Sequence, residues 1–254
     1  MFNDKPFAEV NREERFYCFL IAHAMLSSQP TRQNLVELIR NRNGIVLAPE
    51  QLQVFVEAAA LRDYWNDLGD PVIYDEQTHL QRLRTLQIIL AEVGVSPEEL
   101  DKHDVFWTSA ARKKLWNPGR WDIEALKATG LIPTGQQSER KNSTLIDVKW
   151  AFNAKPDLMI VSPGTVLLIE AKVEAGEGRE GSGYEQYRIQ ELITKLLKLL
   201  VPRFAVSNFR NLVLARRAGD LSWADVVATV TDDVDQFTRD CLLNAVGTNK
   251  VMPL

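Results

Sequence analysis

From residue 8 to residue 130 the apolar positions recur mostly every three or four residues, the spacing of a helix with one buried face. Residues 8–28 form a predicted helix with Phe16, Phe19, Leu20 and His23 on one face. A second helix is expected over 31–41, capped by Thr31. A longer helix is expected over 48–68, with Pro49 near its start, and another over 76–94, ended by Gly94. Ser96-Pro97-Glu98-Glu99 is a helix-start signal for 96–116, and 122–130 ends in glycine. The first half of the chain therefore reads as mostly helical.

The pattern changes after 130–142, a stretch rich in turn formers and polar residues. Over 143–154, Ile146, Val148, Trp150 and Phe152 alternate as on one face of a strand. Residues 157–162 form a second strand, Pro163-Gly164 turns the chain, and 165–173 form a third, completing an antiparallel meander. A glycine-rich charged loop (174–183) leads into an amphipathic helix over 184–200, stopped by Pro202. A short apolar strand follows at 210–217, and helices over 222–230 and 231–246 close the chain. This second half reads β-β-β-α-β-α, which implies an α/β domain with a mixed central sheet flanked by helices. The division is thus a helical N-terminal region, 1–135, at least partly packed on a core formed by 136–254.

Composition narrows the class only a little. The chain has 254 residues, 45% hydrophobic and 25% charged, ordinary for a globular protein. Its two cysteines, Cys18 and Cys241, have no pairing pattern, and the N-terminus lacks a signal-peptide apolar core, so a cytoplasmic location is expected. No apolar run approaches the roughly 20 residues of a membrane helix, so no membrane partner is expected. The net charge of −4 does not advertise nucleic-acid binding. Basic patches at 111–121, where Trp116 and Trp121 interleave with cations, and at 210–217 are each either solvated faces or phosphate contacts.

The charges on the apolar strands change the picture. Side chains alternate along a strand, so Glu170, Lys172 and Glu174 share one face. Residues equidistant from the turn at 163–164 pair across it, which sets Asp157 opposite Glu170. Cross-strand neighbours have Cβ atoms about 4.5–5.5 Å apart, and two carboxylates there repel unless a cation lies between them. A carboxylate pair completed by water suits Mg²⁺, which lowers the pKa of water and polarises a phosphoryl oxygen. Lys172 could hold or deprotonate the attacking water, or stabilise charge growing on a phosphate. The alternative is a solvated strand end with Asp157 as a turn residue after Pro156.

Together, "KPDLMIV" and "VLLIEAK" resemble the signature of the PD-(D/E)xK nuclease superfamily, with its restriction-endonuclease-like fold. The resemblance covers roughly residues 136–230 and implies an α-β-β-β-α-β core. It implies Asp157 and Glu170 as metal ligands and catalytic residues, Lys172 as the catalytic lysine, and the backbone carbonyl of Ala171 as a further ligand. A glutamate from an upstream helix joins the metal in many members. Glu13, in phase with Phe16 and Leu20, is the first choice here, with Glu14 and Glu139 as competitors. A glutamine on the following helix is also common, and Gln186 and Gln190 match in position as substrate-binding candidates. The implied activity is Mg²⁺-dependent hydrolysis of DNA phosphodiester bonds, with Mn²⁺ as a substitute, in restriction, phage defence or repair. Homodimerisation follows from the same resemblance. The alternatives are an RNA nuclease, or an inactive nucleic-acid-binding or assembly module of the same fold.

Other candidates carry less. His23, His79 and His103 show no ligand spacing, and 176–183 lacks the Gly-Lys-Ser/Thr of a phosphate loop. Asp147 and Lys149, on one face of the strand expected at 143–154, are candidates for the edge of the site.

Overall fold

The computed structural model describes residues 14–69, 75–107, 115–131, 144–172, 182–215 and 219–247. In chain order the elements are helices α1 (Glu14–Ser27) and α2 (Gln29–Asn43), strand β1 (Gln53–Val56), and helices α3 (Ala60–Asp67), α4 (Glu76–Glu92), α5 (Ile123–Ala128) and α6 (Leu145–Asn153). Strands β2 (Leu158–Ser162) and β3 (Thr165–Lys172) follow, then helix α7 (Ser182–Leu200). Strands β4 (Asn208–Ala215) and β5 (Leu221–Ser222) precede helices α8 (Trp223–Val227) and α9 (Gln236–Gly247). The chain is α/β, with one five-stranded mixed sheet flanked by helices, and forms two compact units assembled from separated segments. Among the described residues, no helix is long and apolar enough to cross a membrane.

The first unit comprises Met1–Ala58, Pro156–Gly178 and Ser207–Leu254. Its sheet runs β1-β2-β3-β4-β5, antiparallel through the first three strands and parallel from β3 to β5. Leu158, Ile160, Leu167, Ile169 and Ala171 face a buried cluster that includes Tyr17, Cys18 and Ile21 of α1, Leu35 and Ile39 of α2, and Trp223 and Leu242. Met159, Val166 and Leu168, on the opposite face, are buried as well. This explains why β2 and β3 are apolar at nearly every position. The turn between them places Gly164 at φ +72°, a conformation costly for a side chain-bearing residue, after a proline whose φ is fixed. Helix α2 starts at Ser28, whose side chain accepts from the Thr31 N–H at 3.0 Å. The cap is therefore Ser28, not Thr31, which is buried in the first turn and bonded to Thr231.

The second unit comprises Ala59–Lys155 and Arg179–Val206. Trp65 and Phe152 meet edge to face at 6.0 Å, among Leu86, Ile89, Leu90, Val148, Leu192 and Leu196. Arg82 is buried there, its charge solvated by the carbonyls of Leu115 and Gly69 and by the Trp65 ring. Asp147, equally buried, pairs with Arg188 at 2.6 Å.

Three expected elements differ. Residues 145–153 are helix, not strand: Thr144 and Asp147 form a capping box, and Leu145, Val148, Ala151 and Phe152 are buried at helical spacing. The alternation of Ile146, Val148, Trp150 and Phe152 fits both periods, and the cap decides between them. Asp147 and Lys149 accordingly serve structure, with Lys149 donating to the Gly119 carbonyl at 2.8 Å. The helix expected over 48–68 is interrupted by β1, which takes the edge of the sheet beside β2, so the meander is β1-β2-β3. Gln-Val-Phe-Val at 53–56 is a β-favouring run, and Val54 and Val56 reach the core from it. Finally, 96–116 forms only short 3₁₀ turns at Pro97–Asp101 and Asp104–Phe106 within its described part.

Candidate functional site

The β2–β3 register pairs Leu158 with Ile169 and Ser162 with Thr165, so the next step sets Asp157 opposite Glu170, as the turn spacing predicts. Asp157 is fixed twice. Its Oδ2 accepts from the Ala171 N–H at 2.8 Å, and its carbonyl accepts from the Glu57 N–H at 3.2 Å. Glu170 and Lys172 lie on the same sheet face, with Lys172 Nζ donating to Glu170 Oε1 at 2.8 Å. The Glu170 side chain is only 15% exposed, against 40% for Lys172. The strand end is pinned from behind, where the indole of buried Trp223 donates to the Lys172 carbonyl at 3.0 Å. Trp223 in turn stands edge to face with Tyr17 of α1, at 5.9 Å.

The charges interact strongly. Burial pushes the Asp157 carboxyl up to about 6, and the charges of Glu170 and Glu14 add to it against the Ala171 N–H and Lys172. Burial pulls the Lys172 ammonium down, but its hydrogen bond to Glu170 and the charges of Glu170, Glu14 and Asp157 raise it above the ordinary lysine value. Lys172 is therefore a firmly protonated cation in this arrangement. The thiol of Cys18, buried in α1 one turn after Glu14, is pushed well up by burial and then by Asp157, Glu14 and Glu170. All three carboxylates thus act on one spot.

Of the upstream glutamates, it is Glu14 whose charge reaches this spot; Glu13 and Glu139 lie outside the described residues. The buried positions of α1 are Tyr17, Cys18, Leu20, Ile21, Ala22, Ala24 and Met25, and Phe16 packs against the same core, whereas Phe19 is exposed. Glu14 precedes Tyr17 and Cys18 by one turn and so also lies in phase with buried positions. Gln186 and Gln190 both fall on α7, in the second unit. Gln190 is buried there, and the side chain of Gln186 lies outside the described residues. In the basic patch at 111–121, Trp121 is buried, while Trp116 is exposed with the Arg120 guanidinium over its ring at 5.6 Å.

A fifth charged residue belongs to this neighbourhood and was hidden inside an expected helix. Glu57 follows β1 and adopts φ +51°, the only non-glycine residue with positive φ among those described. Its carboxylate takes Arg15 Nε at 2.7 Å, one residue from Glu14. A left-handed residue with a side chain costs about 1–2 kcal/mol. An exposed ion pair returns at most about 1 kcal/mol. The ion pair by itself offsets at most part of that cost.

Among the described residues, no group of three or more His, Cys, Asp or Glu side chains is placed to hold a metal ion. Mg²⁺ does not require one: it is commonly held by one or two carboxylates, with water and substrate oxygens completing the shell. Asp157 and Glu170 meet that requirement, and their mutual repulsion is the kind a divalent cation relieves. Comparison with protein-family models, with curated protein sequences and with solved structures returned no match.

Proposed function

We propose that this protein is a Mg²⁺-dependent nuclease that hydrolyses DNA phosphodiester bonds, with Mn²⁺ as a substitute, and that its core is restriction-endonuclease-like. The observation that carries this reading is the half-buried cluster of Asp157, Glu170 and Lys172 on one sheet face, within the field of Glu14. The order of elements supports the fold: α1, β1, β2, β3, α7 and β4 follow the α-β-β-β-α-β sequence of that core, with 59–155 between β1 and β2.

Asp157 and Glu170 would hold the cation, with the Ala171 carbonyl as a further oxygen donor. Bound Mg²⁺ supplies Lewis-acid charge neutralisation at the phosphate and lowers the pKa of water. Hydrolysis adds a water oxygen to phosphorus and expels one ester oxygen, so negative charge grows on the phosphoryl oxygens. Lys172, a protonated cation beside the carboxylate pair, meets that charge with an ammonium N–H. To do so it must leave Glu170, whose carboxylate it neutralises at 2.8 Å. The Ala171 N–H orients one Asp157 oxygen and leaves Oδ1 for the cation. A catalytically inactive binding or assembly module of the same fold is the second reading, favoured by the closed Lys172–Glu170 contact, which occupies the lysine.

Incubation of plasmid DNA, single-stranded DNA and RNA with Mg²⁺ or Mn²⁺ tests the reading. The wild type is expected to cut DNA, and Lys172→Ala and Asp157→Ala to lose activity by at least about 100-fold. Binding without cutting under any metal favours the inactive module, and cleavage of RNA alone changes the substrate class. Variants that cut as well as the wild type overturn the assignment.

A further inference from the structure

The second unit presents an exposed aromatic surface that the Asp157 cluster does not use. Trp65, Trp121 and Trp223 are at most 4% exposed, whereas Trp116 is 42% and Trp150 is 48% exposed. The two exposed indoles flank one short turn, Pro118–Arg120. That turn is clamped onto α6, where Lys149 Nζ and Asn153 Nδ2 both donate to the Gly119 carbonyl at 2.8 Å. The approach is so close that a Cβ at Gly119 would stand 2.7 Å from Asn153 Oδ1. Beyond the turn, Trp121 is buried edge to face against Phe106 at 5.4 Å, so the segment is anchored on both sides. Trp150 precedes Asn153 by three residues on α6 and so stands beside the clamp.

The charges on this surface select a ligand. The Arg120 guanidinium lies over the Trp116 ring at 5.6 Å. Among the described residues, neither Arg120 nor Lys149 has a carboxylate partner. The nearest acid in the chain, Asp122, accepts from the Ala125 N–H as the cap of α5. Uncompensated cations beside exposed indoles suit a polyanion that carries planar rings, whose bases stack on the aromatics while its phosphates meet the cations. In a duplex the base faces are already stacked on one another, so the unpaired strand is the form that fits. We infer that Trp116, Trp150 and Arg120 form a binding site for single-stranded nucleic acid. The inference rests on the reading of this protein as one that acts on nucleic acid, and requires neither metal nor catalysis. A turn held rigid before binding spares the site the cost of ordering it.

Fluorescence anisotropy of labelled oligothymidine with the full-length chain in EDTA provides the test, since binding is then read without cleavage. Trp116→Ala and Trp150→Ala are each expected to weaken binding about tenfold, and Trp116→Phe, which keeps an aromatic face, by much less. Arg120→Gln should weaken binding and lower its salt dependence by about one phosphate contact. Lys127→Gln, an exposed cation already paired with Glu124 at 2.7 Å, should leave binding unchanged. The tryptophans replaced are exposed, so thermal midpoints should stay at the wild-type value. If the wild type binds and the tryptophan variants bind equally well, the site is overturned and the nuclease reading stands. The same follows if the wild type cuts DNA but prefers the duplex with oligodeoxyadenosine, or binds the single strand independently of salt. A wild type that binds no nucleic acid and cuts none overturns both.

Discussion

Replacing Asp157 by Asn should make the metal-free protein more stable at neutral pH. The carboxyl is raised from 3.8 to about 6, first by burial and then by the charge of Glu170. The folded state therefore binds this proton more tightly than the unfolded chain does. Its contribution to stability is fully present below about pH 4 and is lost as the pH climbs through about 6. A tenfold change in proton affinity is worth about 1.4 kcal/mol, which sets an upper bound of about 3 kcal/mol. The carboxyl is only partly enclosed, and solvent screening reduces the expected effect to about 1–2 kcal/mol. Asn keeps an oxygen to accept from the Ala171 N–H, so the variant loses charge and not the hydrogen bond. Urea unfolding in EDTA at pH 4, 6 and 8 measures this directly, because titrating groups remote from Asp157 cancel in the difference. The two proteins should be alike at pH 4, with Asp157→Asn more stable at pH 8 and most of the gap opening between. Added Mg²⁺ should stabilise the wild type and not the variant. Equal stability at pH 8, or a gap that does not change with pH, would refute the electrostatic account of the site.

Lys172→Met removes the cation that neutralises Glu170, so in EDTA the protein should lose stability as the pH rises through about 6, more steeply than the wild type; urea unfolding across that range checks it. Arg188→Met leaves Asp147 buried without its cation and should cost about 3 kcal/mol in the same assay, more than Asp147→Asn, which removes the charge itself. Gly164→Ala forces a side chain into φ +72° at the β2–β3 turn and should cost about 1 kcal/mol, although the space around it is open.

The site was more legible in the sequence than the fold around it. A two-residue turn sets the register of its hairpin without ambiguity, and strand alternation does the rest, so Asp157, Glu170 and Lys172 could be placed together from spacing alone. The strand partners were not legible. β1 is four residues long with a half-exposed edge, and its apolar positions also satisfy a helical period. Its pairing with β2 spans a hundred residues of intervening chain, a non-local contact that no local pattern records. Residues 145–153 failed for the opposite reason: their alternation was real, but Thr144 and Asp147 carried a helix-start signal that outweighs it. Glu13 was preferred to Glu14 on its phase with Phe16 and Leu20, but the buried positions of α1 also run through Tyr17 and Cys18, one turn after Glu14. The backbone angle of Glu57 and its ion pair with Arg15, 42 residues away in the chain, leave no local sequence pattern.

Anomalous diffraction from crystals soaked in Mn²⁺ tests the central claim most directly. The account predicts a cation bound by the Asp157 and Glu170 carboxylates, at the roughly 2.0–2.6 Å distances of oxygen ligands, with Lys172 Nζ released from Glu170. No cation there, with the Lys172–Glu170 contact still closed at saturating Mn²⁺, would contradict it.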